Sequence, residues 1–150
     1  MEKPRLLKRE GASTASYANA STGSSIDTMT SACVSELMNA ATSIHKLHLK
    51  VTGIGSFAAH KALNDLYDAL PDHADDLAEG YQGAAEKLLV YAEKSPKTLN
   101  TVAEGIDYIK EMIEMVNGLQ NKMPYSEIVN ELDNVKSTLN SAKYKLLFLK

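Results

Sequence analysis

The stretch KLHLKVTGIGSFAAHKALNDLYD, Lys46 to Asp68, joins two segments of helical apolar spacing across Thr52-Gly53-Ile54-Gly55. Glycines this close together favour turn conformations and weaken a helix, so the period breaks there. Upstream, Ile26, Met29, Cys33, Leu37, Ala40, Ile44, Leu47 and Val51 recur at steps of three and four, the mark of one long amphipathic helix, with Ser24 or Ser25 placed to cap it. Downstream, Ser56 is placed to cap a second helix that carries Phe57, Leu63, Leu66, Tyr67, Leu70, Ala74, Leu77, Ala78 and Tyr81. Pro71 is expected to bend this helix or interrupt it. The break leaves His48 on one side and His60 on the other, either two unrelated histidines or two members of one site.

Working outward, Gly80 and Gly83 are expected to end the second helix, and AAEKLLVYAEK, Ala84 to Lys94, reads as a short amphipathic helix before Ser95-Pro96. A third long helix starts at Thr101, where Thr101 and Glu104 have the form of a capping box, and runs through Ile106, Ile109, Ile113, Val116 and Leu119 to the break at Asn121 to Pro124. The fourth has the cleanest period: Ile128, Leu132, Val135, Leu139, Ala142, Leu146 and Leu149. The expectation is an all-α four-helix bundle over residues 26–150, with a short helix in the connection between helices 2 and 3. Residues 11–25, GASTASYANASTGSS, hold little that could anchor a core, and residues 1–25 read as an arm that is flexible or ordered by a partner.

Composition narrows the function classes. With 150 residues, 44% hydrophobic and 23% charged, the chain is long enough for one domain with a real core. A net charge of −3 gives no overall footprint for a phosphate backbone, which leaves Lys3, Arg5, Lys8 and Arg9 as the candidate DNA-binding patch, diluted by Glu2 and Glu10. Cys33 stands alone, excluding an internal disulfide and fitting a reducing compartment. No apolar run is long enough for a membrane span or a signal peptide, so a membrane partner is not expected. There is no glycine-rich phosphate loop, cysteine cluster or Ser-His-Asp grouping.

On the second helix, His60 and Asn64 are one turn apart, and so are Asp75 and Glu79. Asp75 lies about 22 Å along the axis from His60 at ~1.5 Å per residue, so the two pairs cannot meet on one ion within one straight helix. Two copies packed antiparallel across a two-fold axis would bring His60 of one to Asp75 and Glu79 of the other. Imidazole with carboxylates suits iron, manganese or zinc. His45 and His73 read as surface residues, and Met112, Met115 and Met123 as packing in or beside the core.

The segment LHLKVTGIGSFAAHKALNDLYDALPDHADDLAE, Leu47 to Glu79, resembles the signature region of Dps, the ferritin-like DNA-binding proteins of starved cells, in which LHW-x-V-x-G precedes a second histidine and then D-x-x-AE. The likeness extends over about Asp27 to Lys150, including the closing helix. It implies a ferritin-like bundle and a metal site at a dimer interface, with His48 and His60 as the two histidine ligands and Asp75 and Glu79 as carboxylates supplied across the two-fold. The sequence departs from the pattern at three places: Leu49 stands where the family has tryptophan, Asn64 where it has a carboxylate, and Gly80 where it has arginine. The run SFAAHKALNDLYD with AEGYQG is also similar to small bacteriophage-encoded ferritin-like proteins of unassigned function.

Three functional expectations follow. The first is a metal-binding subunit of a homo-oligomer, with iron as the metal the resemblance implies and iron oxidation or storage as the activity. The second is a virion structural or assembly protein that reuses the bundle without catalysis and contacts other virion proteins. The third is DNA binding through the basic residues of the arm. The expected location is the cytoplasm of a bacterial host or a virion.

Overall fold

The computed structural model describes residues 25–150, which form four α-helices and, among the described residues, no strand. These are α1 (Ser25–His48), α2 (Ser56–Ala85), α3 (Val102–Gln120) and α4 (Ser126–Phe148). The arm and its basic residues Lys3, Arg5, Lys8 and Arg9 lie outside the described residues. The expected apolar stripes become the core: Cys33, Leu37, Ala40, Ile44 and Leu47 of α1 and Leu132, Val135 and Leu139 of α4 are completely buried. Each such leucine, taken out of water, contributes on the order of 2 kcal/mol. Met112 and Met123 are buried, and Met115 packs against the same core.

Short joints make α1 and α2 one antiparallel pair and α3 and α4 another. The two pairs meet through α1 on α3 and α2 on α4, leaving α2 and α3 across the diagonal. The capping box at the start of α3 forms: Thr101 Oγ1 accepts from the Glu104 amide at 3.1 Å, and the Glu104 carboxylate accepts from the Asn100 amide at 2.7 Å.

The structure corrects four local expectations. Ser56 does not cap α2; it is the first helical residue, and Gly55 precedes it in the left-handed conformation at φ 80°, with no side-chain cap. Of the two outcomes expected at Pro71, the interruption does not occur: α2 stays helical through the proline, with the core face of Leu66, Leu70, Ala74 and Leu77 buried on both sides of it. Gly80 and Gly83 do not end the helix either, which runs to Ala85 and closes on Glu86 in the left-handed region at φ 54°. At Gly80 the reason is space: a Cβ there would stand 3.0 Å from Ile128 Cδ1 on α4.

The fourth correction is the connection. Ala84 to Lys94 holds no separate helix; beyond Lys87 the chain runs without helical structure until α3. It is tied along α1 at successive points. Lys87 Nζ donates to Asp27 at 2.6 Å, the Asn39 amide donates to the Lys94 carbonyl at 2.8 Å, and Lys50 Nζ donates to the Leu99 carbonyl at 2.9 Å. From Asp27 to Lys50, α1 and its end cover about 35 Å, whereas a helix from Lys87 to Leu99 would reach only about 18 Å. An extended chain of that length reaches about 40 Å, so the anchors require it. Leu89 and Leu99 turn inward and are buried. Because the connection returns from the end of α2 to the α1–α2 turn, α2 and α3 run in the same direction.

Candidate functional site

The α1–α2 turn decides the geometry of the histidines. His48 is the last residue of α1, and His60 lies just over one turn into α2, so the hairpin sets them level with each other. Their rings stack with centroids 3.6 Å apart and planes 25° from parallel. Each ring is held by the backbone of the other residue: His48 Nδ1 donates to the His60 carbonyl at 2.8 Å, and His60 Nδ1 donates to the His48 carbonyl at 3.1 Å. A carbonyl oxygen can only accept, so Nδ1 carries the proton in both rings. In the neutral imidazole this leaves Nε2 with its lone pair, the form that ligates a metal. His48 is buried and His60 exposed.

The same chemistry constrains how an ion could sit. Ring nitrogen lone pairs lie in the ring plane, so each Nε2 can ligate only within the plane of its own ring, and the two planes are 25° from parallel.

Around this pair stand residues that sequence reasoning undervalued. His45, one turn before His48, is exposed as expected, yet its ring stacks on Tyr67 with centroids 3.9 Å apart and planes 12° from parallel. Tyr67 also makes a T-shaped contact with His48, centroids 5.1 Å apart, and its hydroxyl donates to Asn64 Oδ1 at 2.7 Å. The Asn64 amide in turn donates to Asp68 Oδ2 at 3.0 Å. Both ends of Asn64 are therefore committed to its own helix. The spacing of His45 to His48 and of His60, Asn64 and Tyr67 at helical steps was the available signal; the stacking across two helices was not visible in either segment alone.

Asp75 and Glu79 are exposed on α2, well down the helix from His60. One chain does not bring them to the histidines, and among the described residues no three His, Cys, Asp or Glu side chains stand close enough to hold an ion. His73, expected at the surface, is instead part-buried between α2 and α4: it pairs with Glu131 Oε1 at 3.3 Å and with Thr138 Oγ1 at 2.8 Å. Cys33 takes no part, since burial and the neighbouring Glu36 push its thiol up to about 12, leaving it neutral at ordinary pH.

Elsewhere, polar side chains tie the helices together. Tyr81 donates to the buried Asp27 at 2.5 Å, and Tyr108 donates to Glu36 at 2.5 Å. Burial, reinforced by these carboxylates, raises both phenols above their ordinary range. No helix among the described residues is long and apolar enough to cross a membrane.

Residues 48–146 match the model of a family of unknown function, DUF5856, a span that begins at His48 and includes His60, Asp75 and Glu79. Among curated proteins the chain is similar to an uncharacterized 14.6 kDa protein from the mobD-ri intergenic region of Enterobacteria phage T4. The two are 26% identical over 110 residues, covering 73% of this chain and 81% of the phage protein. No solved structure matches the chain.

Proposed function

We propose that this chain, which belongs to the DUF5856 family of unknown function, is a metal-binding subunit whose site is shared between two copies: His48 and His60 from one, Asp75 and Glu79 from the other. The observation that carries the reading is the reciprocal pair of Nδ1 hydrogen bonds, which fixes both rings and reserves both Nε2 atoms. Ligating histidines are oriented in this way, by the bond that the other ring nitrogen makes. The donor set of two imidazoles and two carboxylates suits iron, manganese or zinc, with iron favoured by the Dps resemblance. Bound iron supplies one-electron redox chemistry; the protein supplies ligands, their orientation and a covered interface.

The helix arrangement supports a ferritin-like bundle, since a long connection makes α2 and α3 parallel across the diagonal while the short joints keep each flanking pair antiparallel. The dimer is supported by the charge order of α2. Lys61 is its only lysine, and after it come Asp65, Asp68, Asp72, Asp75, Asp76 and Glu79, all exposed. Antiparallel pairing sets the basic end of one helix against the acidic end of the other. Phe57, one turn before His60, is 80% exposed, and Leu49 beside His48 is 73% exposed, an apolar rim that a second copy would cover.

Titration of the purified protein with Co2+ or anaerobic Fe2+, together with its mass in solution, tests the reading. Expected are a dimer or larger homo-oligomer and binding that is lost in both His60→Ala and Glu79→Gln. A folded wild-type protein that binds neither ion would overturn it.

The commitment of Asn64 favours a second reading for the oxidation step. Where the resemblance places a carboxylate, this chain offers an amide already bonded at both ends, which cannot neutralise an oxidised ion. The alternative is an assembly or structural role that keeps the interface without turnover. Failure of bound Fe2+ to oxidise faster than free Fe2+ under peroxide, with binding intact, would favour this reading over a ferroxidase.

A further inference from the structure

We infer that Tyr67 is the positioning residue of the imidazole pair, with His45 as the outer wall of the same stack; this rests on the metal-binding reading above. Tyr67 belongs to α2 but reaches α1 on two sides. Its face lies on His45 at 3.9 Å, and it meets the His48 ring in a T-shaped contact at 5.1 Å. His48 is thereby enclosed by three rings: His60 on its face at 3.6 Å, Tyr67 at its side, and His45 edge-on at 5.9 Å. The single hydrogen bond from Nδ1 fixes one atom of the ring but leaves rotation about that contact open, and the aromatic neighbours remove this freedom.

Tyr67 is itself pinned. Its hydroxyl donates to Asn64 Oδ1, and Asn64 donates onward to Asp68, so the ring is braced by a polar chain running one turn in each direction along α2. The amide at position 64 thus acquires a role. It does not ligate; it holds the tyrosine that holds the histidine. Groups that orient a ligand through a second contact affect metal affinity by about 10- to 100-fold when removed.

The test separates ring packing from the hydroxyl and needs no turnover. Tyr67→Leu removes the aromatic wall, while Tyr67→Phe keeps the ring and loses the bond to Asn64. With folding verified by circular dichroism and thermal melting, Co2+ affinity is expected to fall about 10-fold or more in Tyr67→Leu, with an altered Co2+ absorption spectrum, and by a smaller factor in Tyr67→Phe, which keeps the ring without its brace. Tyr67→Leu binding within about twofold of wild type would overturn the proposal. A second readout stands apart from metal: two-dimensional 15N NMR of the metal-free protein reports the His48 tautomer. Expected are a single Nδ1–H form in wild type and a mixture in Tyr67→Leu. A wild-type protein that binds no Co2+ removes the metal reading alone, and the tautomer measurement still decides the role of Tyr67. An unchanged tautomer in Tyr67→Leu sinks it.

Discussion

Asn64 stands one turn beyond His60, beside the imidazole pair, where a carboxylate would add charge to any cation held there. Asn64→Asp preserves the size of the side chain and still accepts from the Tyr67 hydroxyl, but it loses the donor to Asp68 and sets two carboxylates one turn apart. In the metal-free protein this repulsion costs about 0.5 kcal/mol, the scale of like charges at i,i+4. With a divalent cation present the added charge is attractive, so Co2+ affinity is expected to rise by about an order of magnitude or more. Calorimetric titration of the two proteins decides it; weaker binding by Asn64→Asp would mean that position 64 does not face the ion. Some of this site was legible in the sequence, because His48 and His60 flank a break of fixed length and Asn64 follows at helical spacing. His45 and Tyr67 were not, because stacking between residues of two helices depends on how the helices rotate against each other, and each reads alone as an ordinary surface or core position.

The helices themselves were legible because apolar residues at three- and four-residue steps have one efficient burial, and the faces of α1 and α4 are buried from Cys33 to Leu47 and from Ile128 to Leu146, whereas Val51 and Leu149, expected to continue those stripes, fall beyond the helix ends. The connection was misleading for a physical reason. AAEKLLVYAEK carries the spacing of an amphipathic helix, but the connection's bonds to Asp27, Asn39 and Lys50 are spread along α1 and its end farther than a helix from Lys87 to Leu99 can span. Leu89→Ala, at a buried position, is expected to cost about 2–3 kcal/mol, whereas Leu88→Ala, at a position 54% exposed, should be nearly neutral. Urea unfolding distinguishes them, and equal losses would contradict the inward role of Leu89. The links between helices make a pH prediction. Tyr81 joins α2 to α1 through Asp27, and Tyr108 joins α3 to α1 through Glu36. Their folded-state values lie above the unfolded value of about 10. The stability they contribute is therefore fully present below about pH 10 and is lost as pH rises through the folded values. Tyr81→Phe and Tyr108→Phe should lower stability at neutral pH and flatten its alkaline decline, measured as ΔG of unfolding from pH 7 to 11; an alkaline limb unchanged in both would contradict the assignment.

At the scale of the whole molecule, α2 carries His60 near its start and Asp75 and Glu79 toward its end, and the length of helix between them keeps them apart. A site assembled from both needs a second copy. The direct test is complementation between two defective subunits. His48→Ala/His60→Ala retains the acidic half, and Asp75→Asn/Glu79→Gln retains the histidine half. Neither should bind Co2+ alone. In a heterodimer of the two, one of the two shared sites is whole, so equal amounts refolded together and assorting at random should recover about one quarter of the wild-type sites. Recovery near that level is the predicted result. No recovery in a mixture shown to contain heterodimers, or undiminished binding by either variant alone, would contradict a site shared between two chains.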